Sequence, residues 1–204
     1  LGVSLRFETF VEGRSAAAVE ALRRLADGTG AAPVWIYGPP GSGKSHLLQA
    51  TCARAGDAGR STAWLPLALV KDEGPGILDG FEALDLVALD DLEAVAGQPA
   101  WESALFTLYN GLAERRAGLA CAAAAAPAAT GIRLPDLASR LAASEVHRLE
   151  ALAEPEQAAA LRQRASRRGL ELSAETLAFL TRRAPRDFAT LCRMLDALDH
   201  AESM

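Results

Sequence analysis

"GPPGSGKS", Gly38 to Ser45, decides how this chain folds. It fits the spacing G-x-x-x-x-G-K-[ST] and stands between "VWIYG", an apolar strand-like run, and "HLLQATCARAG", apolar at helical spacing. Between a strand and a helix, such glycines let backbone N–H groups converge on phosphate. A helix opening near Gly43 turns its positive dipole end the same way. Lys44 has the reach for the β and γ oxygens, and Ser45 has the hydroxyl for Mg²⁺. Gly38, Gly41, Ser42, Gly43, Lys44 and Ser45 are therefore the expected phosphate-binding residues for ADP or ATP with Mg²⁺. Without the flanking strand and helix, the same letters would spell only a glycine-rich turn.

Outward from this loop, the pattern is regular. "SAAAVEALRRLAD" predicts a helix, broken by "GTGAAP" before the first strand; the helix after the loop is expected to close at Gly56, and "STAWLPLAL" reads as a second strand. A link from about Val70 to Leu84 leads to "DLVALDD", an apolar run of the kind that forms a central parallel strand. Next come the long helix "WESALFTLYNGLAERR", an alanine-rich strand ending in "CAAAAAPAAT" (121–130), a short helix "LPDLASRLAAS" and a last strand "EVHRLE". Strands alternating with helices predict an α/β domain, a parallel sheet sandwiched by helices. From about Ala153 only helices follow: "EPEQAAALRQRASRRG", "SAETLAFLTRRA" and "RDFATLCRMLDALDHA". The expected division is a nucleotide-binding domain over 1–152 and a small all-helical lid over 153–204.

"LVALDDLE" adds a second acidic element. Asp90, at the end of the apolar strand, is placed to hold Mg²⁺ with Ser45, and Asp91 to polarise an attacking water. The plainer reading of Asp91 is a helix-capping carboxylate.

Bulk composition narrows the field further. A chain of 204 residues buries roughly 70% of its unfolded surface, enough for one sizeable core with a small attached unit. Half the residues are apolar and the net charge is -5, which argues against disorder and against a generally basic nucleic-acid binder. Cys52, Cys121 and Cys192 form no CxxC pair, and His46, His147 and His200 are scattered, so no metal site is expected from protein ligands alone. The apolar run from Leu119 to Ile132 is interrupted by Pro127 and Gly131, so no membrane segment is expected; a reduced, cytoplasmic protein is the simplest reading.

The two nucleotide motifs, the short helix with its arginine and the helical lid together resemble the AAA+ ATPase family, in the DnaA-related branch that includes the regulatory inactivators of the Hda type. The resemblance covers nearly the whole chain and implies the following roles. "FETFVEG" is similar to the linker of that branch, which implies that Phe10 and Val11 lie beside adenine. "LPDLASRL" looks like the arginine-finger segment, which makes Arg140 a catalytic finger acting in trans on a nucleotide held by a partner. From the residues alone, a surface arginine satisfied by Asp136 would have been preferred. "APRDFATL" resembles the second sensor motif and puts Arg186 at the γ-phosphate of the same subunit; an ordinary surface cation remains the alternative. The first sensor falls near Ala124, whose methyl cannot orient water, unless Thr130 or a neighbour replaces it.

The resemblance also implies partners and a role. The partners are DnaA and the DNA polymerase III sliding clamp (beta), together with a homodimer or nucleotide-dependent homo-oligomer, and neither sequence-specific DNA nor a membrane. The expected role is to stimulate hydrolysis of DnaA-bound ATP, repressing re-initiation of replication, with at most weak ATPase activity of its own. An initiator-type ATPase fragment and a helicase-loader-like adaptor are the other readings. The short second-to-third strand link leaves little room for extra helices that grip single-stranded DNA.

Overall fold

Two cores form on opposite faces of one parallel sheet because side chains alternate along its central strands. The computed structural model describes residues 5–10, 12–30, 32–151, 154–166, 173, 175 and 176. Its strands are β1 (Val34–Tyr37), β2 (Thr62–Pro66), β3 (Leu86–Asp90), β4 (Gly118–Ala123) and β5 (Glu145–Arg148). They lie in the order β2-β3-β4-β1-β5, every neighbouring pair parallel. The helices are α1 (Ala16–Ala26), α2 (Lys44–Asp57), α3 (Leu67–Val70), α4 (Pro99–Arg115), α5 (Pro135–Ala142) and α6 (Glu154–Ser166).

On one face, Val34, Ile36, Leu86, Ala88, Ala120 and Ala122 join Leu22 and Leu25 of α1 and Leu47 and Leu48 of α2. On the other, Trp35, Val87, Leu89, Leu119 and Cys121 join Leu105, Leu108 and Leu112 of α4 and Leu137 and Leu141 of α5. The sequence shows only uniformly apolar runs here, because both faces of the central strands are covered. The expected α/β sandwich is therefore the observed one. β4 is rich in small residues and closely packed: a Cβ on Gly118 would stand 3.2 Å from Leu86 Cδ1 and 3.3 Å from Leu25 Cδ1.

Several boundaries differ from the sequence reading. "STAWLPLAL" is a strand only as far as Pro66, whose ring removes a ladder donor, and "LAL" turns into α3. Helix α2 runs through Gly56; the left-handed turn comes at Gly59, φ +79°. The connection from β2 to β3 spans 67–85 and contains 3₁₀ turns at Lys71–Glu73, Pro75–Leu78 and Phe81–Ala83, with no helix beyond four residues. β4 stops at Ala123, so the remaining alanines belong to a loop. The first lid helix is observed as α6, whereas the two expected after it lie outside the described residues apart from Ser173, Glu175 and Thr176. Among the described residues no helix is long and apolar enough to cross a membrane.

Candidate functional site

Parallel strands bring Gly38, Asp91, Ala124 and Leu149 to one edge of the sheet, just past the ends of β1, β3, β4 and β5. Open α/β sheets bind ligands at this edge. The glycine-rich loop starts on two cross-strand bonds: Gly38 N–H donates to Ala123 O at 3.4 Å, and Leu149 N–H donates to Tyr37 O at 2.7 Å. Gly38 has no space for a side chain, since a Cβ there would collide with the Leu149 carbonyl and lie 3.0 Å from Ser42 Oγ. Gly41 and Gly43 have φ of +78° and +91°, the left-handed region that favours glycine. This winding carries the chain into α2 with Gly43 as N-cap.

Lys44 Nζ donates to Gly38 O at 2.8 Å and Pro39 O at 3.2 Å, so the ammonium lies across the mouth of the loop. Ser42 Oγ is buried and makes no hydrogen bond among the described residues. An unsatisfied buried hydroxyl beside a lysine and a glycine cradle is the polar surplus that a phosphate would absorb.

Asp90 ends β3 and is 1% exposed. Burial raises its carboxyl above the ordinary range; Ser45 and the Asp91 backbone N–H, which donates to Asp90 Oδ1 at 3.1 Å, oppose this without reversing it, and the Asp91 charge adds to it. Ser45 is exposed in the first turn of α2, so a hydroxyl from α2 and a carboxylate from β3 converge. Trp64 Nε1 is buried near Asp90 but among the described residues meets no acceptor at hydrogen-bonding geometry. This hard-oxygen pair fits Mg²⁺, which would neutralise the Asp90 charge that burial disfavours. Asp91 has φ 54° and ψ 47°, a left-handed conformation uncommon outside glycine, which turns its side chain away from the strand alternation.

Phe10 packs at the same place. Its ring meets His46 edge-to-face at 5.4 Å, and a Cβ on Gly43 would stand 2.5 Å from Phe10 Cε2. The segment is held by His46 Nε2, 2.9 Å from Arg6 O and 3.1 Å from Thr9 Oγ1, and by an Arg6–Asp57 ion pair. Val11 lies outside the described residues, as does Arg186.

The alanine loop is held from behind. Thr130 Oγ1 donates to Ala126 O at 2.9 Å, so its hydroxyl serves the loop and does not stand in for a sensor group. Ala124 is exposed just past β4.

Arg140 is not gathered into this cluster. It lies near the end of α5, exposed, with Cζ 5.1 Å from the Phe106 ring centroid and 5.4 Å from that of Tyr109. Among the described residues no carboxylate pairs with it, so the Asp136 alternative is not what the structure forms. Sequence reasoning missed Glu102, which is 2% exposed. In "WESALF" it passes for a first-turn carboxylate favoured by the helix dipole, and only its burial sets it apart.

A family model of the Hda lid domain matches residues 154–204, a model of the bacterial DnaA ATPase domain matches residues 1–63, and an RNA helicase model matches residues 34–114. Among solved structures, a replication initiator DnaA bound to AMPPCP and single-stranded DNA is 21% identical with a TM-score of 0.75, over 98% of this chain and 68% of that one. Domain III of the Thermotoga maritima DnaA protein is 23% identical with a TM-score of 0.79, over 94% of this chain and 86% of that one. The Thermotoga maritima RuvB Holliday junction branch migration motor is 14% identical with a TM-score of 0.68, over 94% of this chain and 63% of that one. At these identities the structural likeness is one of fold.

Proposed function

Since the chain is an AAA+ protein of the DnaA-related branch, close to Hda, we propose that it binds ADP or ATP and acts as a regulatory inactivator of DnaA. In this reading, residues 1–152 form the nucleotide domain and 153–204 the lid. The backbone N–H groups from Gly41 to Lys44 hold the phosphates, and Lys44 leaves the Gly38 and Pro39 carbonyls to meet them. Ser45 and Asp90 hold Mg²⁺, which supplies charge neutralisation at the phosphates. Phe10 and Val11 flank adenine, and Arg186 of the lid reaches the γ-phosphate.

Turnover of the chain's own ATP is weak. Asp91 can accept a proton from an attacking water, but Ala124 offers no group to orient it and the Thr130 hydroxyl is engaged elsewhere. Removing one preorganised donor costs roughly 10² to 10³ in rate. The chain acts instead on ATP held by DnaA, to which Arg140 supplies its guanidinium in trans. An arginine finger contributes about 10³ to 10⁵ in rate. Loading on the DNA polymerase III sliding clamp, a nucleotide-dependent homo-oligomer, a cytoplasmic location and repression of re-initiation complete the proposal.

One observation supports this reading above the others: Arg140 is exposed, without a carboxylate among the described residues, and is held on aromatic rings rather than turned into the chain's own phosphate cluster. Single-turnover hydrolysis of DnaA-bound ATP, with DNA-loaded clamp and with or without this chain, tests it. Stimulation is expected from the wild type and is lost in Arg140→Ala, while ADP affinity changes less than twofold. Rapid hydrolysis by the isolated chain would favour an autonomous ATPase or initiator fragment.

A further inference from the structure

We infer that one stripe of α4, formed by Glu102, Phe106 and Tyr109, is the positioning device for Arg140. The three residues are spaced i, i+4 and i+7, so they share one face of the helix. They hold α5 at both ends. At its start, the buried Glu102 carboxylate accepts from Arg133 N–H at 3.0 Å and Leu134 N–H at 2.7 Å, the residues that lead into α5. It also accepts from Gly97 N–H at 2.6 Å, which ties the loop after β3 to the same point. At the far end, the half-buried rings of Phe106 and Tyr109 face the Arg140 guanidinium. Between these points Leu137 and Leu141 anchor α5 in the core shared with α4.

The chemistry suits a finger. A guanidinium paired to a carboxylate would have to break that pair before reaching a phosphate, whereas ring faces attract the cation, restrict its rotamers and leave its N–H edge open. The Glu102 bonds are charge-assisted and buried, so they fix where α5 begins and thus where its last turn presents Arg140. A loss of 1 Å in such placement costs on the order of 10² in rate.

This inference rests on the finger role proposed above. The test uses the full chain with DnaA-bound ATP and DNA-loaded clamp, and reads both the maximal stimulated rate and the half-saturating concentration of the chain. Phe106→Leu and Glu102→Gln should each lower the maximal rate at least tenfold, with half-saturation and ADP affinity within twofold of wild type; Phe106→Tyr, which keeps a ring face, should restore the rate. In the free chain, the Arg140 Nε–H resonance should lose the Phe106 part of its ring-current shift in Phe106→Leu, the Tyr109 part remaining, and keep the whole shift in Phe106→Tyr. Amide exchange at Arg133 and Leu134 should quicken at least tenfold in Glu102→Gln. If Phe106→Leu fails to fold, Tyr109→Leu takes its place.

Maximal rates within twofold of wild type, or a change confined to half-saturation, overturn the inference. A wild-type chain that does not stimulate DnaA instead overturns the function proposed above. The resonance and exchange measurements then judge the positioning, and if unmoved they overturn it as well.

Discussion

The indole N–H of Trp35 donates to the carbonyl oxygen of Ala125 at 3.1 Å, joining the buried middle of β1 to the loop that leaves β4. Together with the Thr130 hydroxyl on Ala126 O, it holds the alanine loop in place without directing a side-chain donor from it toward the phosphate cradle. The loop is ordered but chemically mute. Ala124→Asn should therefore raise intrinsic single-turnover hydrolysis toward the roughly 10² that one preorganised donor supplies. An unchanged rate in the isolated chain would show that the loop does not face the attacking water.

Trp35→Phe removes the donor and also the volume of the fused five-membered ring of a fully buried side chain. The expected cost is about 2–4 kcal/mol, a lost buried hydrogen bond plus a cavity, read by denaturant unfolding. A fully neutral substitution would mean that the core closes over the vacated space and that the Ala125 carbonyl finds another partner.

Asp90 couples stability to function with opposite signs. Its folded carboxyl lies above the ordinary value chiefly because it is buried, so the folded state binds the proton more readily than the unfolded chain. Stability from this group is thus greatest at low pH and is lost as pH rises from about 3.8 through the raised folded value. Asp90→Asn should raise Tm of the nucleotide-free chain at pH 7, by roughly 2–4 °C per kcal/mol recovered. The same variant should lose the Mg²⁺-dependent part of its thermal stabilisation by ADP. A lower Tm without ligand would contradict the assignment of burial as the dominant cause.

Two glycines of the loop should separate steric from conformational demands. Gly41 has φ +78° and open space around a Cβ, so Gly41→Ala should cost only the roughly 1–2 kcal/mol of a left-handed residue. Gly38→Ala drives a methyl into the Leu149 carbonyl and should cost about 3 kcal/mol or more. Equal midpoints in urea unfolding would refute the close approach of β5 to the loop.

Cys52 and Cys121 are buried, and desolvation pushes each thiol up to about 12. At pH 8 only about one in 10⁴ of each is thiolate, so both should resist alkylation in the native chain and react on unfolding, as read by peptide mass. Modification of Cys121 under native conditions would reveal opening of the central sheet.

Much of this site was written locally. "GPPGSGKS" between a strand and a helix specified the winding of the loop into α2, because glycine spacing encodes that backbone geometry within eight residues. "LVALDD" likewise placed a carboxylate at a strand's end, and the alternation of apolar runs with helical periodicity determined the α/β class. Burial leaves those traces at neighbouring positions in the chain.

Tertiary structure decided the rest. Strand order decides that Asp90 meets Ser45 of α2, two residues from distant parts of the chain. The setting of Phe10 against Gly43, the ring faces under Arg140 and the burial of Glu102 are also long-range outcomes. A sequence pattern reports which face of an element is covered, but the identity of the covering group depends on the packing of α4 against α5 and of the N-terminal segment against α2. That packing turned an ordinary first-turn glutamate into a buried anchor and left Arg140 exposed on aromatic rings.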